Sequence, residues 1–210
     1  MHRLGHPAQH RILQLLGAPL GILVILLVVL IASTSSAAAM TFKMTSGGEC
    51  GTRTCMSGSG EIGDHTANDF AAFIKANNIR PGALLVLDSP GGNLTQGLAL
   101  GGKIRRAGVS TTVQVPGGAC ASACVYAFLG GVERTVAKGA KLGVHQVYGR
   151  GGASVALQVS DTQLLLSLVA THIRRMGASM DVFTLALGTP PESMYWMSSS
   201  ELSRFAVVTA

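Results

Sequence analysis

Charged and aromatic residues are scarce in this sequence, and the shortage argues against nucleic-acid binding. Charged residues make up 12% and aromatic residues 5% of the 210 positions, and the net charge is +6. The tightest basic group contains Lys103, Arg105 and Arg106, with no aromatic residue among them. Proteins that bind nucleic acids normally combine a dense basic surface with aromatic side chains that stack on bases. We therefore expect no nucleic-acid partner and interpret this basic group as the solvated face of a helix.

The sequence also lacks the residue spacings of metal and redox sites. Its four cysteines fall in two pairs, Cys50 with Cys55 and Cys120 with Cys124, and neither pair has the Cys-x₂-Cys spacing of zinc or thiol-redox motifs. No two histidines have metal-ligand spacing with an acid between them. We therefore expect no metal and no other cofactor. The cysteines are predicted to form structural disulfides or to remain buried thiols, and proximity favours pairing within each couple.

Only one stretch is long and apolar enough to span a membrane, and it lies at the start of the chain. Residues 12–31 are almost wholly apolar and follow a basic segment that contains Arg3 and Arg11. Small residues at 35–39 offer a signal-peptidase site, but about 20 apolar residues also suffice to span a bilayer. Residues 1–39 are therefore predicted to be a cleaved signal peptide or an N-terminal membrane anchor. In both cases the rest of the chain is exported, as a periplasmic or secreted protein or one anchored to the inner membrane.

After a polar segment rich in glycine and cysteine at 40–56, residues 57–210 have the pattern of a single α/β domain. Strands are predicted at 83–87, 109–115, 132–136 and 141–145, and helices at 64–74, 94–107, 154–175 and 180–187. Such alternation is typical of an α/β domain with a largely parallel sheet. In these sheets, binding and catalytic sites gather at the carboxyl ends of the strands.

Three short motifs lie at such strand ends. A Ser-Pro-Gly-Gly turn at 89–92 follows the first apolar strand, Ser122 lies among small residues at a predicted helix start, and His145 ends a later strand. A nucleophilic serine benefits from small neighbours, which let a carbonyl approach, and from first-turn N–H groups that can stabilise an oxyanion. The same small residues would equally suit a helix that simply packs tightly.

The second cysteine pair flanks Ser122. If Cys120 and Cys124 lie one helical turn apart, their Cα atoms are separated by roughly 6 Å, which is within disulfide range. A bridge between them would stiffen the segment that carries the serine. The histidines at 65 and 172 are predicted to be surface or capping residues, since neither shows a catalytic pattern.

Taken in order and with their spacing, the three motifs resemble the Clp proteolytic subunit and its relatives in the crotonase-like superfamily, over residues 57–208. The resemblance implies a superhelix of repeated ββα units with a C-terminal helical handle that builds homo-oligomers. It also implies Ser122 as the nucleophile and His145 as the general base. The backbone N–H groups of Gly92 and Ala123 would form the oxyanion hole.

The sequence departs from the family pattern at the third catalytic position. The Clp subunit orients its histidine with an aspartate, but the equivalent position near Met194 has no carboxylate, and the nearest acid is Glu192. An orienting group is worth up to about four orders of magnitude in rate in one well-studied triad. Three outcomes stay open: Glu192 reaches His145, Ser193 or a backbone carbonyl replaces it, or the enzyme is slow or inactive. A lysine base, as in exported signal-peptide peptidases of this family, is disfavoured because the last lysine, Lys141, precedes the histidine.

The leading hypothesis is an exported serine peptidase that acts without an ATPase partner, since ATP is not expected outside the cytoplasm. Its substrates would be peptides or unfolded exported proteins, which the turn at 91–94, including Gly91, would bind as an added strand. The main alternative is a catalytically weak or inactive Clp-like fold that acts as a peptide-binding or assembly protein. Acyl-CoA chemistry, as in crotonases, is a third hypothesis, and it is disfavoured because coenzyme A is not expected outside the cytoplasm.

Overall fold

The structure is a computed structural model, and it describes residues 38–47, 50–114, 118–147 and 155–209. The predicted signal peptide or anchor therefore lies outside the described residues, except for its last two positions. Within the described ranges no helix has the length and the apolar character needed to cross a membrane.

The centre of the domain is a five-stranded sheet with the strand order β1-β2-β3-β4-β6. Its strands are β1 (Thr41–Thr45), β2 (Cys55–Ser59), β3 (Leu84–Asp88), β4 (Ser110–Val113) and β6 (Arg134–Val136). Strands β2, β3, β4 and β6 run parallel, and β1 is antiparallel to β2. The middle strands are short apolar or β-branched runs that are largely buried, as expected where helices cover a parallel sheet. The predicted α/β class with a largely parallel sheet is confirmed.

A smaller sheet has the order β5-β7-β8 and consists of β5 (Ala119–Ala121), β7 (Lys141–Val144) and β8 (Tyr195–Trp196). Strands β5 and β7 are parallel, and β8 is antiparallel to β7. A single β-bridge between Ser89 and Cys120 connects the segment after β3 to this second sheet. Strand β5 differs from the sequence prediction, which places these small residues at the beginning of a helix; the helix starts only at Ala123.

Six helices surround the two sheets in the described part of the chain. They are α1 (Thr66–Ala76), α2 (Leu94–Arg106), α3 (Ala123–Phe128), α4 (Val155–Arg175), α5 (Asp181–Gly188) and α6 (Ser199–Arg204). Helix α2 is capped by Asn93, whose side chain accepts a hydrogen bond from the Gln96 N–H. Helix α3 is completely buried, and α2 lies directly against it, since a Cβ added at Gly97 would be 2.5 Å from the Ala123 carbonyl oxygen.

A buried arginine ties the end of the chain to the core. Arg134, at the start of β6, is only 2% exposed. Its guanidinium donates hydrogen bonds to the carbonyl oxygens of Leu129, Gly131, Met176, Ala206 and Val207. Burial, with a smaller contribution from the nearby Arg105, lowers the pKa of Arg134 to about 10. The side chain therefore remains a cation at neutral pH, and it is held by carbonyl oxygens of several segments at once.

Replacing Arg134 by methionine should destabilise the protein strongly. Several buried carbonyl oxygens would lose their donor, at about 1–3 kcal/mol each, so we expect the free energy of unfolding to fall by about 3 kcal/mol or more. Urea denaturation measures this change. Arg106→Met is the matched control, since Arg106 is exposed on α2, and it should change stability by less than about 0.5 kcal/mol. Equal losses in both variants would contradict the assigned role of Arg134.

Candidate active site

Ser122 occupies a sharp turn between a strand and a helix. Strand β5 ends at Ala121, α3 begins at Ala123, and Ser122 lies between them with φ 54° and ψ −123°. A positive φ is uncommon for a residue other than glycine, and such conformations cost of order 1–3 kcal/mol and cluster at active sites. The Ser122 N–H donates to the Gly143 carbonyl oxygen at 2.8 Å, which ties the turn to β7. The serine is therefore on a strand-to-helix elbow rather than on a continuous helix start as predicted.

The Ser-Pro-Gly-Gly turn packs against this elbow. Gly91 has φ 100°, and a Cβ added there would lie 2.7 Å from the Ala121 carbonyl oxygen and 2.8 Å from the Ser122 Cβ. The register is fixed by Ser89, whose N–H donates to the Ala119 oxygen at 2.8 Å and whose carbonyl accepts from the Ala121 N–H at 3.0 Å. Only glycine fits at position 91, because the backbone of the turn approaches the serine so closely.

Two backbone N–H groups are the candidates for an oxyanion hole at Ser122, those of Gly92 and Ala123. Gly92 lies opposite Ile62 in a parallel β-bridge, and the two hydrogen bonds of the bridge are made by the residues on either side of Gly92. The Ile62 N–H donates to the Gly91 oxygen, and the Asn93 N–H donates to the Ile62 oxygen. The Gly92 N–H therefore points away from this bridge. Ala123 is the first residue of α3, where N–H groups have no partner within the helix. Among the hydrogen bonds of the described residues, none is donated by either of these two groups. Their use as an oxyanion hole stays a prediction.

His145 lies beside the serine hydroxyl. Strands β5 and β7 are parallel, with Ala121 opposite Gly143, so the residues that follow each strand emerge at the same edge. The His145 Nε2 is 2.8 Å from the Ser122 Oγ. With the ring proton on Nδ1, Nε2 accepts a hydrogen bond from the hydroxyl, which is the geometry of a general base. Both side chains are half-buried, so a substrate can reach them.

The segment after His145 is held in place by the next residue. The Gln146 N–H donates to the Thr189 carbonyl oxygen at 2.9 Å, and the Gln146 side-chain amide donates to the Leu187 carbonyl oxygen at 2.7 Å. Both acceptors lie at the end of α5. The histidine is therefore anchored on two sides, by β7 before it and by α5 behind it.

An open cleft of about 560 Å³ lies over Ser122 and His145. Its walls include the apolar side chains of Ile62, Leu94 and Leu165 and the carboxylates of Glu61 and Asp64. A side chain and some backbone of a peptide fit a volume of this size. The serine and the histidine thus lie at the base of a space that can hold a substrate.

Glu192, the proposed third catalytic residue, is exposed in the turn before β8. Met194 packs against β7, since a Cβ added at Gly143 would lie 2.7 Å from its Cγ. A catalytic role for Glu192 stays a prediction.

Both pairs of cysteines form disulfides. Cys50 is bonded to Cys55 and Cys120 to Cys124, with Cα separations of 5.7 and 5.2 Å. Two disulfides are consistent with an oxidising, exported environment. The second pair is not one helical turn apart, because Cys120 belongs to β5 and Cys124 to α3, with the Ser122 elbow between them.

The prediction that His172 is a surface or capping residue is wrong. Its side chain is buried between α4 and α3, with 8% exposed, and its Nε2–H donates to the Tyr126 carbonyl oxygen at 2.8 Å. Burial lowers the pKa of His172; the hydrogen bond to Tyr126 opposes this change, and the nearby Arg175 and Arg105 add to it. The sequence contained a signal for this burial, since His172 belongs to a helical stripe with the apolar residues at 169, 173 and 176.

His172 should make stability depend on pH above the range in which carboxylates titrate. Its folded-state pKa lies below the unfolded value of about 6.5, so the unfolded state binds the proton first. The contribution of His172 to the free energy of unfolding should therefore be constant above about pH 7.5 and fall as the pH drops through 6.5, by at most about 1.4 kcal/mol per pH unit. The carboxyl of Glu201, whose pKa is lowered to about 2 by hydrogen bonds with Ser198 and Tyr195, titrates below this window.

The variant His172→Gln keeps an N–H donor for the Tyr126 oxygen but does not titrate. Denaturation midpoints measured between about pH 7.5 and 5.5 should fall less steeply for this variant than for the wild type. His65→Gln is the control, because His65 is exposed at the start of α1 and its replacement should leave the slope unchanged. A wild-type slope in His172→Gln would contradict the argument.

The site combines a strained serine, an adjacent imidazole, two N–H groups that donate no hydrogen bond to a described residue, and an open cleft. This combination suits nucleophilic attack on a carbonyl group. In the described ranges, no three His, Cys, Asp or Glu side chains come together closely enough to hold a metal ion. Neither the models of known protein families nor the curated protein sequences give a significant match to this chain.

Proposed function

We propose that this protein is an exported serine peptidase that hydrolyses peptide bonds with Ser122 and His145. The observation that carries the proposal is the distance of 2.8 Å between Ser122 Oγ and His145 Nε2, with the serine held at a positive φ on a strand-to-helix elbow. A serine that only packed a helix would need neither the strain nor an imidazole at its hydroxyl.

The reaction would follow the usual two steps of acyl transfer. His145 takes the hydroxyl proton as Ser122 Oγ attacks the peptide carbonyl, and the N–H groups of Gly92 and Ala123 stabilise the oxyanion. The carbon–nitrogen bond breaks, and His145 gives its proton to the leaving amine, which leaves an acyl-enzyme. Water, deprotonated by the same histidine, then hydrolyses the ester and restores the serine.

The fold is proposed to be the ββα superhelix of the Clp and crotonase-like proteins. The order of elements supports this, because β4-β5-α3 and β6-β7-α4 repeat the same unit, with one strand in each sheet followed by a helix. The segments at 61–62 and 89–92 extend the pattern, since they follow β2 and β3, form single bridges and precede α1 and α2. Homo-oligomerisation through α4 is supported by its exposed leucines at 157, 164 and 168.

The substrates are proposed to be peptides or unfolded exported proteins that bind as an added strand along Gly91–Leu94. The turn already takes part in strand pairing through the bridge at Gly92, and it borders the cleft. The protein is proposed to act without an ATPase partner. If residues 12–31 remain uncleaved, the enzyme is anchored to the membrane and acts near its surface.

Hydrolysis of a library of internally quenched fluorescent peptides tests the proposal. The purified protein should release fluorescence, the products should correspond to addition of one water at a peptide bond, and a fluorophosphonate should abolish the signal. A folded protein that cleaves no member of the library at any pH between about 6 and 9 would contradict a peptidase function.

A second candidate is a peptide-binding or assembly protein with little or no catalysis. The observation in its favour is Met194, which is not a carboxylate, takes the place of the aspartate of the Clp subunit, and packs against β7 at Gly143. This candidate predicts that library peptides bind in the cleft without being cleaved, and that loss of the Ser122 hydroxyl leaves their affinity unchanged.

A further inference from the structure

The disulfide between Cys120 and Cys124 encloses the serine. It joins the second residue before Ser122 to the second residue after it, and both cysteines are fully buried. Closing so short a loop restricts the unfolded chain less than closing a long one, because the entropic gain from a disulfide grows with loop length. In the folded protein the bridge constrains mainly the few residues around Ser122.

The bridge and the strand pairing together leave the elbow little freedom. Five residues in extended conformation would separate the terminal Cα atoms by about 13 Å, whereas those of Cys120 and Cys124 are 5.2 Å apart. A fully helical segment would also satisfy the bridge, with a separation of roughly 6 Å. That alternative is excluded by β5, whose residues Ala119 and Ala121 are hydrogen-bonded to Ser89 and paired with β7. A tight turn at Ser122 satisfies both constraints.

The conformation of Ser122 controls two separate parts of the site. Its side-chain direction sets the distance of 2.8 Å to His145, and its ψ angle sets the direction of the Ala123 N–H that follows it. If φ relaxed from 54° to a negative value, the hydroxyl and the N–H would both move. Strained conformations of this kind persist only when the surrounding structure enforces them.

We propose that the Cys120–Cys124 disulfide is a positioning device that holds Ser122 in its reactive conformation. The inference rests on the proposed function, since it assigns the bridge a part in the same reaction. The cysteines touch no substrate and act through the serine alone. Loss of the bridge should therefore lower kcat and leave the KM of a cleaved peptide nearly unchanged, because the cleft walls and the turn at 91–94 stay in place.

The test compares two double variants of the full chain. Cys120→Ala/Cys124→Ala removes the bridge at the elbow, and Cys50→Ala/Cys55→Ala removes the other disulfide, which closes a loop of similar size between β1 and β2. For each protein we would measure kcat, KM, the rate of fluorophosphonate labelling and the Tm.

The elbow variant should lose about 10- to 100-fold in kcat and in labelling rate, as expected when a reacting group is displaced by about 1 Å, with KM within about twofold of wild type. The control should keep both rates, whatever happens to its Tm. Equal rates in the elbow variant and the wild type would overturn the inference, and so would an elbow variant that loses its fold, since the bridge would then support the domain rather than the turn. A wild type that is itself inert to the probe and to peptides would instead count against the proposed function.

Discussion

Replacing Ser122 by alanine is expected to reduce peptide hydrolysis at least about a hundredfold and to leave the fold intact. In an enzyme with a complete triad, removing the serine lowers kcat about a millionfold. If no acid orients His145, the wild-type rate is itself lower by about four orders of magnitude, so the loss on removing Ser122 would still be about a hundredfold. The size of the loss thus also indicates whether the imidazole is well oriented. Initial rates with a cleaved library peptide measure it.

The fold should survive this change because the hydroxyl is half-buried and its hydrogen-bond partner is the imidazole alone among the described residues. Alanine also tolerates the elbow about as well as serine does, so the Tm should stay within a few degrees. Ser203→Ala is the control, since Ser203 is exposed on α6. The rate of peptide hydrolysis by this variant should equal that of the wild type. Undiminished hydrolysis by Ser122→Ala would show that another group performs the reaction.

Replacing Gly91 by alanine is expected to damage both stability and activity. The added methyl would lie 2.7 Å from the Ala121 oxygen and 2.8 Å from the Ser122 Cβ, and φ 100° is itself unfavourable for alanine. Strain of about 1–2 kcal/mol from the backbone and about 1–3 kcal/mol from overpacking should lower the free energy of unfolding by about 3 kcal/mol. Because the elbow must move to relieve the clash, hydrolysis should fall at least about a hundredfold.

The variant Gly177→Ala separates the strain of a positive φ from the steric clash with the Ser122 elbow. Gly177 has φ 77°, and nothing lies within 4 Å of the Cβ that alanine would add there. The variant's free energy of unfolding should therefore fall by about 1 kcal/mol, from backbone strain alone, and its peptide hydrolysis should be unchanged. Equal effects of the two substitutions on hydrolysis would contradict the close approach of the 89–92 turn to Ser122.

Much of the fold could be predicted from the sequence because its signals are local. The helix predicted at 94–107 is α2 at Leu94–Arg106, where an Asn cap and amphipathic spacing mark the element. The strand predicted at 83–87 is β3 at Leu84–Asp88, an apolar run between a Pro-Gly break and a Pro-Gly-Gly turn. In both cases the residues that define the element lie within it.

The elbow at Ser122 could not be predicted in the same way. Strand β5 has three small residues and little strand propensity of its own, and it exists because Ser89 on one side and β7 on the other bind its backbone. The positive φ of Ser122 likewise depends on contacts that are distant in sequence. The burial of His172 depends on a tertiary contact, because its ring lies inside the protein only where the Tyr126 carbonyl oxygen accepts its hydrogen bond.

Peptide mass spectrometry of the protein after fluorophosphonate treatment identifies the nucleophile. We expect one adduct, on Ser122, formed by the folded protein and not by the denatured one. An adduct on a different serine, or no adduct on the folded protein under any condition, would contradict the assignment of Ser122 and His145 as a catalytic pair.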